Sequence, residues 1–392
     1  MTNESLLAYQ PATAPHPGET VGEYLEFNGW SQRDLSRRTG LTPKTISEIC
    51  SGKAPITPPT SLALEKVFRR PAHFWLNLQL QFDEGQARRR AAIGIRGWED
   101  WASQFPLKEM EHYGWLEFEE PGHSKADVLL SFLGVSSPDS WDAVWNANKV
   151  AYRQTRKFRK SPEAISAWAR AAELMALQLE VDFNEFDADG LRSRLPALRH
   201  QTKNPAEKFI PAVQSMCAQA GVAVVWVPEL PHTGISGCAR WLSDKKALIA
   251  VTLRYKTDDQ VWFTLLHEVG HILLHRRRHG FILDNAAEDL SDEIVDPEMQ
   301  RDEEEANRFA ADTLIPPDSL SEFIKKNEFT NEAILSFSDR LDLGPGILVG
   351  RLQREGLLGY HQGNKLKRTF EWTNVEPNPP EDRNKSDHSR DQ

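Results

Sequence analysis

The chain has 392 residues, of which 40% are hydrophobic and 27% charged, and a formal net charge of −10. That length allows two or three domains in an ordinary globular mix. No apolar run approaches the roughly 18–20 residues that span a bilayer, no basic-then-apolar signal peptide opens the chain, and Cys50, Cys217 and Cys238 lack CxxC spacing. A membrane protein and a disulfide scaffold are thereby set aside, and a reducing, cytoplasmic setting is expected.

Charge is unevenly spread. Ser31 to Arg70 holds eight Lys/Arg against three Asp/Glu, whereas Asp284 to Glu305 holds eleven Asp/Glu against one Arg. A basic front and an acidic back suggest domains with different partners.

Residues 1–20, rich in Pro, Ala and Thr, read as a flexible arm. Residues 21–93 read as a domain of short helices. Within them "SQRDLSRRTGLTPKTISEICSGK" has two capped helix starts. Ser31 with Asp34 forms a capping-box pattern, and Thr42 precedes Pro43 at a first helical position. Gly40 lies between them as a C-terminal stop. Leu35, Leu41, Ile46 and Ile49 supply the apolar contacts of two helices meeting at an angle. This predicts a helix-turn-helix with its second helix in the major groove of operator DNA. Lys44, Thr45, Ser47 and Glu48 are that helix's exposed residues, able to reach base edges. Gln32 and Thr42 stand at helix starts where phosphates dock. Arg33, Arg37, Arg38 and Lys53 offer phosphate neutralisation.

Residues 94–205 read as a helical connecting region with an aromatic cluster at Trp98, Trp101, Phe105, Tyr113, Trp115 and Phe118. Its clearest helix is "SPEAISAWARAAELMALQLE", capped by Ser161 with Pro162 in the first turn. From Gly221 the period changes. "GVAVVWVPEL" and "KALIAVTL" are β-branched runs that predict strands. Helices are expected again at 258–277 and 299–314. The hairpin around Asp244 offers a strand edge to an extended peptide. Residues 363–392, polar and Pro-containing, read as a disordered tail.

The run "VWFTLLHEVGHILLH", residues 261–275, holds HExxH. On a helix His267 and His271 share a face and can reach one Zn2+. Glu268 falls beside the ion and can take a proton from the attacking water. A His-Glu-His set in an apolar run is costly to bury without such a partner. His275 lies about 12 Å along the axis from His267 and cannot share the ion on a straight helix. A third ligand is sought in "RDEEEANRFAADTLIPP", residues 301–317, a helix with the apolar stripe Ala306, Phe309, Ala310 and Leu314. Small Ala306 and Ala310 allow close packing on the first helix. Spacing alone leaves Glu303, Glu304 and Glu305 as rivals. His275, His279 and Arg240 are the polar residues nearby that could face an oxyanion.

Two resemblances follow from these motifs. "HEVGHILLH" followed by "EEEANRFAADTLIP" resembles the ImmA/IrrE family of zinc metallopeptidases over about residues 206–360. "ISGCARWLSDKKALIAVTLRYKTDDQVWFTLLHE" is similar to that family's two-stranded lead-in. The resemblance implies a zincin-like α+β domain over 206–362. It makes His267, His271 and Glu303 zinc ligands and Glu268 the general base, with Glu305 and Asn307 in supporting contact. The stretch from about His16 to Ala92 resembles the HigA-type antitoxins of the Cro/C1 helix-turn-helix superfamily, an all-α domain. In "VFRRPAHFW" this chain has Arg-Arg-Pro where that family commonly has a small loop around Gly, a departure expected to alter a loop and not DNA contact. This second resemblance implies a homodimer on double-stranded operator DNA and, as a further partner, a ribonuclease toxin. Together the two imply a multidomain regulator with a fused endopeptidase that cleaves a repressor or antitoxin. The alternative is an antitoxin and autorepressor whose peptidase-like part acts as a sensor.

Overall fold

The computed structural model describes residues 14–118, 124–145, 161–179, 184–253, 256–275, 282–284 (backbone alone) and 297–371. The chain separates into two compact units, Met1–Asp100 and Trp101–Gln392.

The first unit is all helical. Its elements are α1 (Pro17–Asn28), α2 (Gln32–Thr39), α3 (Pro43–Cys50), α4 (Pro58–Phe68) and α5 (Ala72–Ile95). The first helix therefore begins at Pro17, inside the stretch expected to be an arm. His16 caps α1, its Nδ1 accepting from the Gly18 amide at 2.9 Å. Val21, Leu35, Ile46, Ile49, Leu64 and Trp75 close one core, because each helix turns its apolar stripe inward. Arg69 ends α4 in the left-handed region at φ 55°. That is where a glycine would relieve about 1 kcal/mol of steric cost, so the Arg-Arg-Pro departure falls on the turn that ends α4.

The second unit begins with α6 (Leu107–His112), α7 (Lys125–Leu133), α8 (Pro138–Trp145), α9 (Pro162–Gln178), α10 (Ala188–His200) and α11 (Ala206–Ala218). Strands β1 (Val222–Trp226), β2 (Gly237–Ser243) and β3 (Lys246–Val251) follow. Then come α12 (Asp258–Leu274), β4 (Ile282–Asp284), α13 (Pro297–Leu314), α14 (Pro317–Lys326), α15 (Asn331–Arg340) and α16 (Pro345–Arg354). The sheet order is β1-β3-β2-β4, with β1 parallel to β3 and the other pairs antiparallel. All five residues of β1 are buried, as expected of a parallel pair covered on both faces. Helix α9 lies against β1 and β3. Phe209 on α11 and Trp262 on α12 pack in the main core with Val222, Val224 and Trp226.

Two boundaries and one edge differ from the expectation. Residues from Trp101 onward are not a separate connector. Arg240 on β2 donates to Glu173 on α9, and Leu191 and Leu198 sit in the main core. Strand β4 covers β2 from Gly237 to Ala239, so the free edge expected of the Asp244 hairpin is confined to Arg240–Ser243 among the described residues. The tail does not begin at 363. Thr369 bridges Thr257, Phe370 is buried, and Lys367 and Arg368 pair with Asp259 and Asp258 at the start of α12.

Asp258 is fully buried. Burial pushes its carboxyl up to about 6, against the pull of Arg368, and neighbouring Asp259 adds to the rise. The folded state thus holds this proton more tightly than the unfolded chain. Its contribution is fully present below an ordinary Asp value of 3.8 and lost as pH rises through about 6. Thermal melts should show Asp258→Asn flattening the loss of stability between those pH values, by at most about 3 kcal/mol. Parallel profiles for the two proteins would refute this.

Candidate metal centre and nucleic-acid interface

The centre is built where α12 crosses α13. Gly270 makes the close approach possible. A methyl there would lie 3.1 Å from Phe309 Cδ1 and 3.3 Å from Ala306 Cα. Ala306 and Ala310 are fully buried at that contact, and Phe309 is half-buried beside it.

At the crossing His267 Nε2 stands 2.8 Å from His271 Nε2. Glu303 Oε2 lies 3.3 Å from the first and Oε1 3.4 Å from the second. His267 Nδ1–H donates to Asn307 Oδ1 at 3.1 Å, since an amide oxygen only accepts. His267 Nε2 therefore carries the lone pair. Two ring nitrogens this close repel unless a proton or cation lies between them. Burial pushes the His271 imidazole down, which favours the neutral form that ligates metal. Burial alone would raise the Glu303 carboxyl, but the interactions with His267 and His271 outweigh it and hold it at about 2. Two neutral imidazoles and a carboxylate are a donor set suited to Zn2+ with one position left open. The donor atoms all lie within 4.8 Å of one another.

Glu268 is fully buried on the same helix. Strand β2 is pressed onto its carboxylate: a methyl on Gly237 would lie 2.6 Å from Glu268 Oε1 and 2.6 Å from Thr264 Cγ2. Sequence reading missed Gly237, and its only signal was a glycine entering a strand beside the motif. Of the other acids, Glu305 turns outward to Arg301 at 3.3 Å, and Glu304 accepts from Gln300 at 3.1 Å. Glu305 is thus not placed to support a ligand, whereas Asn307 is. His275 Nδ1 sits 3.5 Å from Asp302 Oδ1, and Arg240 is engaged by Glu173 and lies over the Trp145 ring. Arg240 is thereby removed as an oxyanion partner. His279 falls outside the described residues.

The helix pair of the first unit shows both caps. Ser31 Oγ accepts from Asp34 N at 3.2 Å while Asp34 Oδ2 accepts from Ser31 N at 3.0 Å. Gly40 turns the chain at φ 74°. Thr42 Oγ1 accepts from Thr45 N at 3.1 Å and is 2.8 Å from Thr45 Oγ1. Thr45 is thus half-buried and tied to the cap. Gln32, Thr42, Lys44, Ser47 and Lys53 are exposed. Lys44 lies 3.8 Å from Glu48, an exposed pair of little energetic weight. Arg38 is held over the Trp30 ring at 3.9 Å.

The molecule therefore joins a helix-turn-helix unit to an α+β unit with a histidine-rich centre. A helix-turn-helix family profile matches residues 23–75, and the IrrE N-terminal-like domain profile of the M78 peptidases matches residues 242–336. The HTH-type transcriptional regulator YddM of Escherichia coli is 32% identical over 82 residues, which are 21% of this chain and 87% of that protein. Virulence-associated protein I of Dichelobacter nodosus is 38% identical over 71 residues, 18% of this chain and 66% of that protein. Among solved structures, a HigA-family addiction module antidote protein from Coxiella burnetii is 31% identical. It covers 22% of this chain and 94% of its own, with a TM-score of 0.21. The chain belongs to the helix-turn-helix transcriptional regulators of Cro/C1 type, and it carries an IrrE N-terminal-like peptidase domain behind that unit.

Proposed function

We propose that this protein is a cytoplasmic, homodimeric DNA-binding regulator whose fused domain is a zinc-dependent endopeptidase acting on a repressor or antitoxin. The observation that carries the reading is the convergence of His267, His271 and Glu303, with Glu268 buried beside them. Zn2+ held by those three would polarise a peptide carbonyl and acidify water. Glu268 takes the proton from the attacking water and delivers it to the leaving amine. Asn307 fixes the His267 ring through Nδ1, and Gly237 leaves the Glu268 carboxylate its place.

Elemental analysis tests the metal. One zinc per wild-type chain is expected, with loss in both His271→Ala and Glu303→Ala. No zinc in the wild type after folding with zinc supplied would overturn the peptidase mechanism.

In the DNA-binding unit, Gln32, Thr42, Lys44, Ser47 and Lys53 form the contact set, with Thr45 serving mainly as part of the cap. Lys44→Ala should weaken binding to an operator fragment from upstream of the gene. A lost base contact costs about 1–3 kcal/mol. Unchanged anisotropy titrations would remove Lys44 from the set.

The second reading is an antitoxin and autorepressor that neutralises a ribonuclease, with the peptidase-like domain as sensor. Its support is the resemblance of the sequence from about His16 to Ala92 to HigA-type antitoxins. A small ribonuclease encoded beside this gene, and a stable complex with it, would favour that reading.

A further inference from the structure

An open cleft of about 790 Å3 lies in the first unit between the C-terminal ends of α1, α2 and α4. Arg38, Lys66, Arg69 and Arg70 line it, and none of its lining side chains is acidic. The chain as a whole carries a net charge of −10, so this concentration of cations is local. Two of them are oriented in advance. The Arg38 guanidinium stacks on Trp30, and Arg70 Nε donates to the Tyr24 hydroxyl at 2.7 Å. Trp30 is in turn stacked on Phe68 with centroids 6.0 Å apart. At the rim Phe27 is 89% exposed, an apolar ring with no use in a monomer's core.

We propose that this cleft docks an acidic segment of a partner protein that also carries large apolar side chains. Oriented guanidinium groups suit carboxylates, and Phe27 with Trp30 offers an aromatic anchor of the kind that dominates interfaces. Operator DNA fits less well. Helix α3 contributes nothing to the lining, and of the residues expected to meet DNA only Arg38 is among the lining residues, where its guanidinium is held on the Trp30 ring. A phosphate backbone also gains nothing from an exposed phenyl ring. A small-molecule ligand would remain largely solvated in so open a cleft.

The test uses the full chain and a fluorescein-labelled peptide, Asp-Leu-Glu-Phe-Asp-Leu-Glu-Asp, followed by anisotropy. Binding is expected at low salt and should weaken as salt rises. The counterpart with Lys at every acidic position should not bind. Phe27→Ser and the double variant Lys66→Glu with Arg70→Glu should each weaken binding at least tenfold. Phe27 is exposed, so its variant folds even if the double variant does not. No binding, or equal affinity in wild type and Phe27→Ser, overturns the proposal. So does a fall in operator affinity in Phe27→Ser, which would place DNA in the cleft. Dissociation of a wild-type dimer by Phe27→Ser in sedimentation runs would instead make a second copy the occupant, and also overturns it.

Discussion

Glu268→Gln should keep its zinc and its fold and lose hydrolysis by about 10²–10⁴-fold, the usual worth of a positioned general base. Glutamine is isosteric, so it fits beneath Gly237 and beside Thr264 as the carboxylate does. It cannot take the proton of the attacking water. The readout is the appearance of new N-termini in a cell extract incubated with the zinc-loaded protein, identified by terminal labelling and mass spectrometry. Termini produced by the wild type should vanish with Glu268→Gln. Gly237→Ala should act in the same direction by pushing the carboxylate aside, since the added methyl meets Oε1 at 2.6 Å. Zinc content separates the outcomes. Full zinc with lost cleavage in both variants supports a base held in place by β2. Equal cleavage by wild type and Glu268→Gln would assign the proton transfer elsewhere. Lost zinc in either variant would mean that the change had disturbed the ligands as well.

The features that were legible in the sequence are those set within a few residues. The Ser31–Asp34 box, the Gly40 turn and the Thr42 cap are decided by side chains reaching their own helix ends. The 267–271 spacing is likewise fixed by one helical turn. The third ligand was only half legible. Helical period brings some acid of Glu303, Glu304 and Glu305 toward α12, and the packing of Ala306 and Ala310 then selects Glu303 and turns the other two outward. What escaped depends on partners far along the chain. Glu173 meets Arg240 across 67 residues, which draws α9 into the second unit. Strand β4 is three residues long and shows no alternation to read. The segment after 363 has a disordered composition, yet its Phe370, Lys367 and Arg368 find places that only the folded unit creates.

Lys367→Met should cost the second unit about 3–5 kcal/mol, the usual penalty for leaving a buried charge without its partner. Lys367 Nζ lies 2.7 Å from Asp259 Oδ2 and 2.8 Å from Gln353 Oε1. The two side chains of the pair are only 12% and 6% exposed, so solvent screens little of the interaction. The other oxygen of Asp259 has no hydrogen-bond partner among the described residues. Lys367 is therefore the main compensation for a carboxylate beneath α16. Methionine keeps most of the stem's volume, which isolates the charge from the packing. Urea denaturation of the full chain should show the transition of the second unit moving to lower urea. Adding Asp259→Asn should restore much of the loss, because it removes the charge left stranded. A loss below about 1 kcal/mol would mean that the pair behaves like an exposed one. Such a result would also weaken the assignment of residues 364–371 to the unit. The pair bears on the metal centre as well. Asp258 and Asp259 form the first turn of the helix that carries His267, Glu268 and His271. A strap released at that turn is expected to lower zinc retention against a chelator in Lys367→Met, without any change to a ligand.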